Sequence, residues 1–488
     1  MMVEDKELKR GLNLPMAVFI IVGMVIGSSI WISPAAYLSI TGPGIFIAYL
    51  IAVIPAVFVA FISAYLGSAF PVAGGSYVIT SRITGGFGGF MVVWLIILAV
   101  GSTLAYLAAT FGVFLATAFL IPAESEMLFV MIVGVIVLFA FYMLNWIKIE
   151  LSGLIELIIT IFGDIMVMVI FIIVAIPSFN PSNFTNLFPL GVSPVLFAAL
   201  IFFFSYIGFT LILDVAGEVK NPKKNIPRAL LISLITLTVL YTVQAIMVAG
   251  VHQWDIPIGT VVELIITGAL LPQGAVVFIT ILIALAIAST IHPSYMAYSR
   301  DIMMSSREHL FPAKFAHVHE KHKTPIPALT LLFVVGLVFL VTFIPLLTPL
   351  AGSIEIAATL LSAVVAVVVL IIQIPLCIGA IGFKKKFPEL HENAGFKPSS
   401  RALKIMGILG SLFSALFLLL LLADPDAGLI VSLVVFPFAG IGAILYLFRS
   451  RKLKSKGIDI KGMLKKIPES VSHDEGVPSK IERLATEK

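Results

Sequence analysis

Gly23-Met24-Val25-Ile26-Gly27-Ser28-Ser29-Ile30-Trp31 lies inside a long apolar run near the start of the chain. Phe202-Phe203-Phe204-Ser205-Tyr206-Ile207-Gly208-Phe209-Thr210 lies inside another, near the middle. Glycine costs about 1 kcal/mol against alanine in a helix interior, and serine offers the backbone a competing hydrogen bond. Each stretch therefore reads as a helix able to unwind part-way. Small residues also serve close helix packing in membranes, so either stretch alone has an ordinary explanation. Their places in the chain decide between the two readings.

The 488 residues are 60 % apolar and only 12 % charged, with a mean hydropathy of +1.12. Soluble domains carry about 25 % charged residues, so a soluble enzyme, a disordered chain and a nucleic-acid-binding protein all fit poorly. A bilayer-spanning helix takes about 20 apolar residues. The hydrophobic pattern predicts twelve of them. They are helix 1 Leu14 to Tyr37, helix 2 Ile45 to Ala69, helix 3 Gly86 to Phe119, helix 4 Met127 to Leu144, helix 5 Leu151 to Ile176 and helix 6 Pro194 to Glu218. Then follow helix 7 Ala229 to Val251, helix 8 Gln273 to Ser305, helix 9 Ile326 to Ile344, helix 10 Ile354 to Ile381, helix 11 Leu403 to Leu422 and helix 12 Gly428 to Phe448.

With these spans every Lys and Arg falls on one side. Lys6, Lys9 and Arg10 precede helix 1, Arg82 follows helix 2, and Lys148 follows helix 4. Lys220 to Arg228, Arg307 to Lys323, and Lys384 to Lys404 follow helices 6, 8 and 10, Arg300 lies at the end of helix 8, and the rest follow helix 12. The opposite loops carry Glu124, Glu126, Asp255, Glu263, Asp424 and Asp426 instead. One missed helix would invert all later loops and destroy the pattern. By the positive-inside rule both termini are expected in the cytoplasm, in a multi-pass protein of the cell membrane. Arg449, Arg451, Lys452, Lys454 and Lys456 form a stop-transfer flank, or a patch for anionic lipid. The one cysteine, Cys377, admits no intrachain disulfide.

The two interrupted stretches fall in the first and sixth helices, at matching places in two five-helix halves. Paired interruptions of this kind point to an inverted-repeat transporter. Five is odd, so the second half enters from the opposite side and the two breaks can meet near the midplane. The expected organisation is a cytoplasmic N-terminus (1–13), a transport core (14–381, with halves 14–177 and 193–381), helices 11 and 12 (403–448) and a basic cytoplasmic tail (449–488). An interrupted helix frees N–H groups at one new end and carbonyls at the other. In hydrocarbon both need partners. A zwitterion suits them, its carboxylate accepting and its ammonium donating.

At these residues the sequence resembles the amino acid–polyamine–organocation transporter superfamily. The likeness rests on Gly23 to Trp31 with Pro34, on Phe70-Pro-Val-Ala-Gly-Gly-Ser-Tyr77, and on the close of helix 8, Tyr298-Ser-Arg300 with Arg307-Glu-His-Leu-Phe-Pro312. Its most specific part is Phe203-Phe-Ser-Tyr-Ile-Gly-Phe209 followed by Gly217-Glu-Val-Lys-Asn-Pro-Lys-Lys-Asn-Ile-Pro-Arg-Ala229. The resemblance implies an all-α, five-plus-five inverted-repeat core like that of the bacterial leucine transporter, with two further helices, and amino acid substrates. Carried over by position, Gly27, Ser28 and Ser29 would bind the carboxylate, with Ile26 beside them. The Phe204, Ser205 and Ile207 carbonyls would bind the ammonium next to Gly208, and Phe204 would be an aromatic gate. Thr210 stands where some members carry an acid. No fixed charge lies near the breaks, which favours a neutral substrate. Asp214 and Glu218 lie toward the cytoplasm and are expected to hold a gate with Lys148, Arg300 or Arg307.

Intramembrane ionisable groups are functional candidates by default. Asp164 lies deep in helix 5 and has either a coupling role or a structural partner such as His292 or a serine. Glu156 lies near the cytoplasmic interface and reads as a snorkelling or loop-pairing residue. The family's proton-coupled members resemble one another in a helix 5 lysine, but Gly163 occupies that position here. Sodium-coupled relatives bind the ion between helices 1 and 8. Ala286-Ile-Ala-Ser289-Thr290 resembles that spacing, with the carbonyls of Gly23 and Ile26 opposite. His292, before Pro293, is a packed hydrogen-bonding residue or a proton carrier.

The expectation is a secondary transporter of neutral amino acids working by alternating access, not an enzyme. It needs no cofactor beyond sodium or a proton as coupling ion. Its partners are the substrate and the bilayer, with no nucleic acid and no partner protein. The rival is a cationic amino acid or polyamine exchanger on the same fold, and a more remote one is a non-transporting sensor.

Overall fold

The computed structural model describes residues 10–464 apart from 148, 269 and 426, and within that range not the side chains of 149, 150, 267 and 273. Among the described residues the regular structure is helical, with no strand. Eleven helices are long and apolar enough to span a membrane, or up to twelve if the bent pair at the start forms one span. That pair is α1, Leu14–Ile26 and Ser29–Thr41, bent by 43° at its break. The others are α2 Ile45–Ala69, α3 Gly75–Ala118, α4 Ala123–Leu144, α5 Leu151–Ser178, α6 Ser193–Asp214, α7 Pro222–Val251, α8 Gly274–Arg307, α9 Ile326–Ala351, α10 Ile354–Lys386, α11 Ser400–Leu422 and α12 Gly428–Ser455.

Local chemistry sets many of these ends. Asn13 caps α1 by accepting from the Met16 amide at 3.0 Å, and Ser353 and Ser399 cap α10 and α11 in the same way. Pro222 opens α7, where its missing N–H costs nothing. Several boundaries differ from the sequence reading: α7 begins at Pro222, not Ala229, and α9 and α12 run on to Ala351 and Ser455. α3 begins at Gly75, not Gly86, and kinks at Gly85. The leading segment is polar, yet Ser76, Thr80, Ser81 and Arg82 are buried. The helix of α6 ends at Asp214, and Glu218 sits in a separate 3₁₀ turn, Ala216–Glu218.

α3 is the pillar: 89 % of its apolar window is buried, against 22 % for α11 and α12. It packs on α4, α8, α9 and α10, while α2 packs on α6 and α7, and α1 on α7. Lipid supplies little hydrophobic drive between helices, so close approach of small residues matters. A Cβ on Gly112 of α3 would come within 2.9 Å of Val130 of α4, and one on Gly336 of α9 within 2.7 Å of Leu104. Exposed leucines such as Leu419 on α11 and Leu433 on α12 face outward.

The basic loops gather at one end of the molecule. The Lys220 amide donates to the Leu12 carbonyl, and Arg300 pairs with Glu218. Arg82 pairs with Glu308, Lys386 Nζ donates to the Arg82 carbonyl, and Arg449 donates to the His309 carbonyl. These bonds join the loop before α1, the start of α3, the loops after α6 and α8 and the ends of α10 and α12. Lys148 lies outside the described residues.

Candidate functional site

The break in α1 falls at Gly27, with φ +51° and ψ −150°, a conformation that side chains with a Cβ rarely adopt. The second half restarts at Ser29, so its first amides have no carbonyl within the helix to bond. Ser28 spends no hydroxyl on capping; its Oγ is hydrogen-bonded to the Tyr106 hydroxyl of α3. α6 tightens into a 3₁₀ turn over Phe203–Tyr206, Ile207 is extended, and Gly208 has φ +129°. A Cβ on Gly208 would come within 3.0 Å of Val25 and 3.1 Å of Met24. The two breaks therefore cross in direct contact.

Beside the crossing lies a cavity with about 450 Å³ of space unfilled by atoms. Ile26, Gly27, Ser28 and Ser29 of α1 and Phe204 and Ile207 of α6 line it, together with Thr290 of α8. Six of the eight expected substrate residues thus share one cavity. Ser205 and Gly208 are not on its wall, and the Ser205 side chain is buried elsewhere in the core. Met24 and Val25 of α1 also line it, as do Thr103, Tyr106 and Leu107 of α3 and Val365 of α10. Sequence reasoning missed the four on α3 and α10; Tyr106, the one tyrosine of helix 3, was the available signal. The Tyr106 and Phe204 rings meet edge-on at 6.3 Å between centroids. The lining carries no Asp, Glu, Lys or Arg.

The candidate ion residues gather where α1, α5 and α8 meet. Thr290 Oγ1 donates to the Gly23 carbonyl at 2.8 Å, and Ser289 Oγ to the Ala286 carbonyl at 2.6 Å. Asp164 is fully buried; its Oδ2 lies 3.3 Å from Ser289 Oγ, while Oδ1 has no hydrogen-bond partner. The partner of Asp164 is therefore the serine, not His292. The interfacial reading of Glu156 is corrected: it is fully buried, with Oε2 2.8 Å from His292 Nδ1. α5 is wedged between α1 and α8 along this length, so distance from the helix end did not report exposure.

Nearer the basic end lies a second polar layer. Arg300 Nε donates to Glu218 Oε1 at 2.8 Å, with both side chains buried. Asp214 Oδ1 accepts from the Ser76 amide at 2.7 Å, and Asp301 Oδ1 from the Tyr77 amide at 2.9 Å. The start of α3 is thereby fixed to the ends of α6 and α8.

The model of the family described as amino acid permease matches residues 12–448. Among curated proteins the chain is 29 % identical over 476 residues to the branched-chain amino acid permease BcaP of Bacillus subtilis (strain 168), covering 92 % of this chain and 94 % of that one. It is 25 % identical to the serine/threonine exchanger SteT of the same organism, covering 70 % and 78 %. It is 29 % identical to the human large neutral amino acids transporter small subunit 2, covering 69 % and 65 %. These relatives are transporters, not enzymes. With a match across most of its length and a helical fold of membrane-spanning dimensions, the chain belongs to the amino acid permease family.

Proposed function

We propose that this permease is a secondary transporter of neutral amino acids that binds its substrate where α1 and α6 are broken. One observation carries the reading: a cavity at the two breaks with free backbone polarity at one end and no charged side chain in its lining. The amides at Ser29 and Ile30 suit a carboxylate, and carbonyls at the end of the first half of α6 suit an ammonium. Leu107, Ile26, Ile207 and Val365 surround the remaining space with apolar surface suited to an aliphatic side chain. Three of the relatives carry names that run the same way, branched-chain, large neutral and serine/threonine, while another, a cystine/glutamate transporter, does not.

Transport follows by alternating access. α1, α2, α6 and α7 rock against α3, α4, α8 and α9 as two inverted repeats, with Phe204 closing over the substrate. The Glu218–Arg300 pair, with Asp214 and its α3 amide, forms the cytoplasmic gate. The basic end faces the cytoplasm of the cell membrane by the positive-inside rule. For the coupling ion, the carbonyls of Gly23, Ile26 and Ala286 with the hydroxyls of Ser289 and Thr290 are hard oxygen donors that fit sodium. The unpartnered Asp164 Oδ1 beside them supports that fit.

Purified protein in liposomes, offered labelled leucine, alanine, serine and arginine, tests the reading. Saturable uptake of a neutral substrate, not competed by arginine, is expected. Saturable uptake of arginine alone, or of no amino acid, would overturn it. Repeating the uptake without sodium and then without a pH gradient identifies the coupling ion.

A further inference from the structure

Between the substrate cavity and the basic end, helices α3, α6, α8 and α10 enclose a second space, and each of its walls continues a wall of the first. Ala99 lies one turn beyond Thr103 on α3, and Thr210 one turn beyond Ile207 on α6. Val369 lies one turn beyond Val365 on α10, and Tyr298 two turns beyond Thr290 on α8. About 450 Å³ is unfilled by atoms, a volume within the range of small-molecule pockets. The far end of this space is the gate layer itself. Ser76 lines it, and the Ser76 amide is the one that donates to Asp214 Oδ1 at 2.7 Å.

Ser76, Thr80, Thr210, Tyr298 and Gln373 give the second cavity five polar side chains, none of them charged. Two are buried and unspent. Gln373 on α10 is 4 % exposed and its Oε1 has no hydrogen-bond partner; Thr80 on α3 is 1 % exposed and its Oγ1 has none either. An unpaired polar atom inside the membrane is costly. Leucine and valine would fill the same two volumes without that cost, so packing alone does not account for them. A glutamine amide offers an acceptor and donors, and a threonine hydroxyl serves as either. Together they match the ammonium and carboxylate of a zwitterion. Ile96, Ala99 and Val369 supply the apolar contact that an aliphatic side chain needs.

We propose that this second cavity is a transit site for the transported amino acid between the central site and the cytoplasm, with Gln373 and Thr80 as its polar contacts. The proposal deepens the transport reading and rests on it. α3 and α8 keep their places as α6 rocks, and α10 packs on α3. Gln373, Thr80 and Tyr298 therefore hold position while Thr210 of α6 withdraws and the space widens. A zwitterion crossing walls that were wholly apolar would leave both its charges unsolvated. Here it exchanges the backbone groups at the breaks for the Gln373 amide and the Thr80 hydroxyl before it meets water. Neutral contacts hold it weakly enough to let it leave.

The test compares the two faces of the full chain, with labelled leucine, alanine and serine as probes. Right-side-out and inverted membrane vesicles from the same cells expose opposite faces, and uptake gives a half-saturating concentration for each. Gln373→Leu and Thr80→Val keep the size and remove the polar atoms. Each should raise the half-saturating concentration at the face of the basic loops at least fivefold and leave that at the other face within twofold. Gln373→Asn, which keeps the amide, should give a smaller rise. The two residues stand on different helices, so failure of one variant to fold leaves the other to decide. Half-saturating concentrations unchanged at both faces would overturn the site, even with a lower maximal rate. An equal rise at both faces would overturn it too, because the residues would then act at the central site. Absence of saturable uptake of all three probes by the wild type would instead sink the transport reading beneath it.

Discussion

At the scale of single residues, Gly27 and Tyr106 are the most exacting parts of the site. A Cβ at Gly27 would have room, its nearest neighbour being Thr290 Oγ1 at 4.0 Å. The constraint is conformational, because φ +51° with ψ −150° costs a residue bearing a Cβ about 1–3 kcal/mol. Gly27→Ala should therefore weaken substrate affinity roughly fivefold to a hundredfold, and Gly27→Val more, read as a rise in KM for labelled uptake. An unchanged KM would remove the break from the binding site. Tyr106→Phe tests the other wall. It deletes the hydrogen bond to Ser28 Oγ and keeps the ring against Phe204. A loss of about 1 kcal/mol, or fivefold in affinity, is expected. Gly27 and Ser28 were legible in the sequence because glycine and serine have intrinsic backbone consequences. Tyr106, Thr103 and Val365 were not, since which face of α3 or α10 meets α1 is decided by packing that no local pattern encodes.

At the scale of elements, span ends were the most legible feature, because a run of about twenty apolar residues has one use in a bilayer. α2 runs over the residues expected of it, Ile45–Ala69. The leading segment of α3 is polar, which suggests solvent, whereas its polar residues are enclosed by protein. Arg82 meets Glu308, and the Tyr77 hydroxyl donates to Glu308 at 2.5 Å. Glu156 failed for the same reason in reverse: an acid near a helix end suggested an interface, and a neighbouring helix covered it. The meeting of α1 with α8 yields a prediction of its own. Ser289→Ala with Thr290→Ala removes two of five oxygen donors, so a sodium requirement for uptake should fall at least tenfold in sodium affinity. Uptake in graded sodium measures this, and an unchanged half-saturating sodium concentration would count against the set of ligands.

At the scale of the whole molecule, the polar layer at the basic end joins the α1 entry, the start of α3 and the ends of α6 and α8. The Gly11 and Leu12 amides donate to the Glu218 carbonyl, and the Gly74 amide to the Asp214 carbonyl, so backbone and side chains close the same layer. The substrate cavity lies beyond this layer, which must open for release on that side. Glu218→Gln leaves the buried Arg300 guanidinium without its countercharge in the closed arrangement. Breaking a buried pair by removing one partner costs about 3–5 kcal/mol. The cost falls on the closed state and is relieved where the guanidinium meets water, so the population moves toward opening on the basic side. Cys377 is the one cysteine in the chain, which makes the shift measurable. Replace it by serine, place a cysteine in the cavity with Thr103→Cys, and label with a membrane-impermeant maleimide from the side of the basic loops. Labelling should rise at least tenfold on adding Glu218→Gln, and Glu218→Asp, which keeps the charge, should give a smaller rise. Equal labelling with and without Glu218→Gln would mean that this ion pair does not hold the gate, and that the backbone contacts of Leu12 and Gly74 carry it instead.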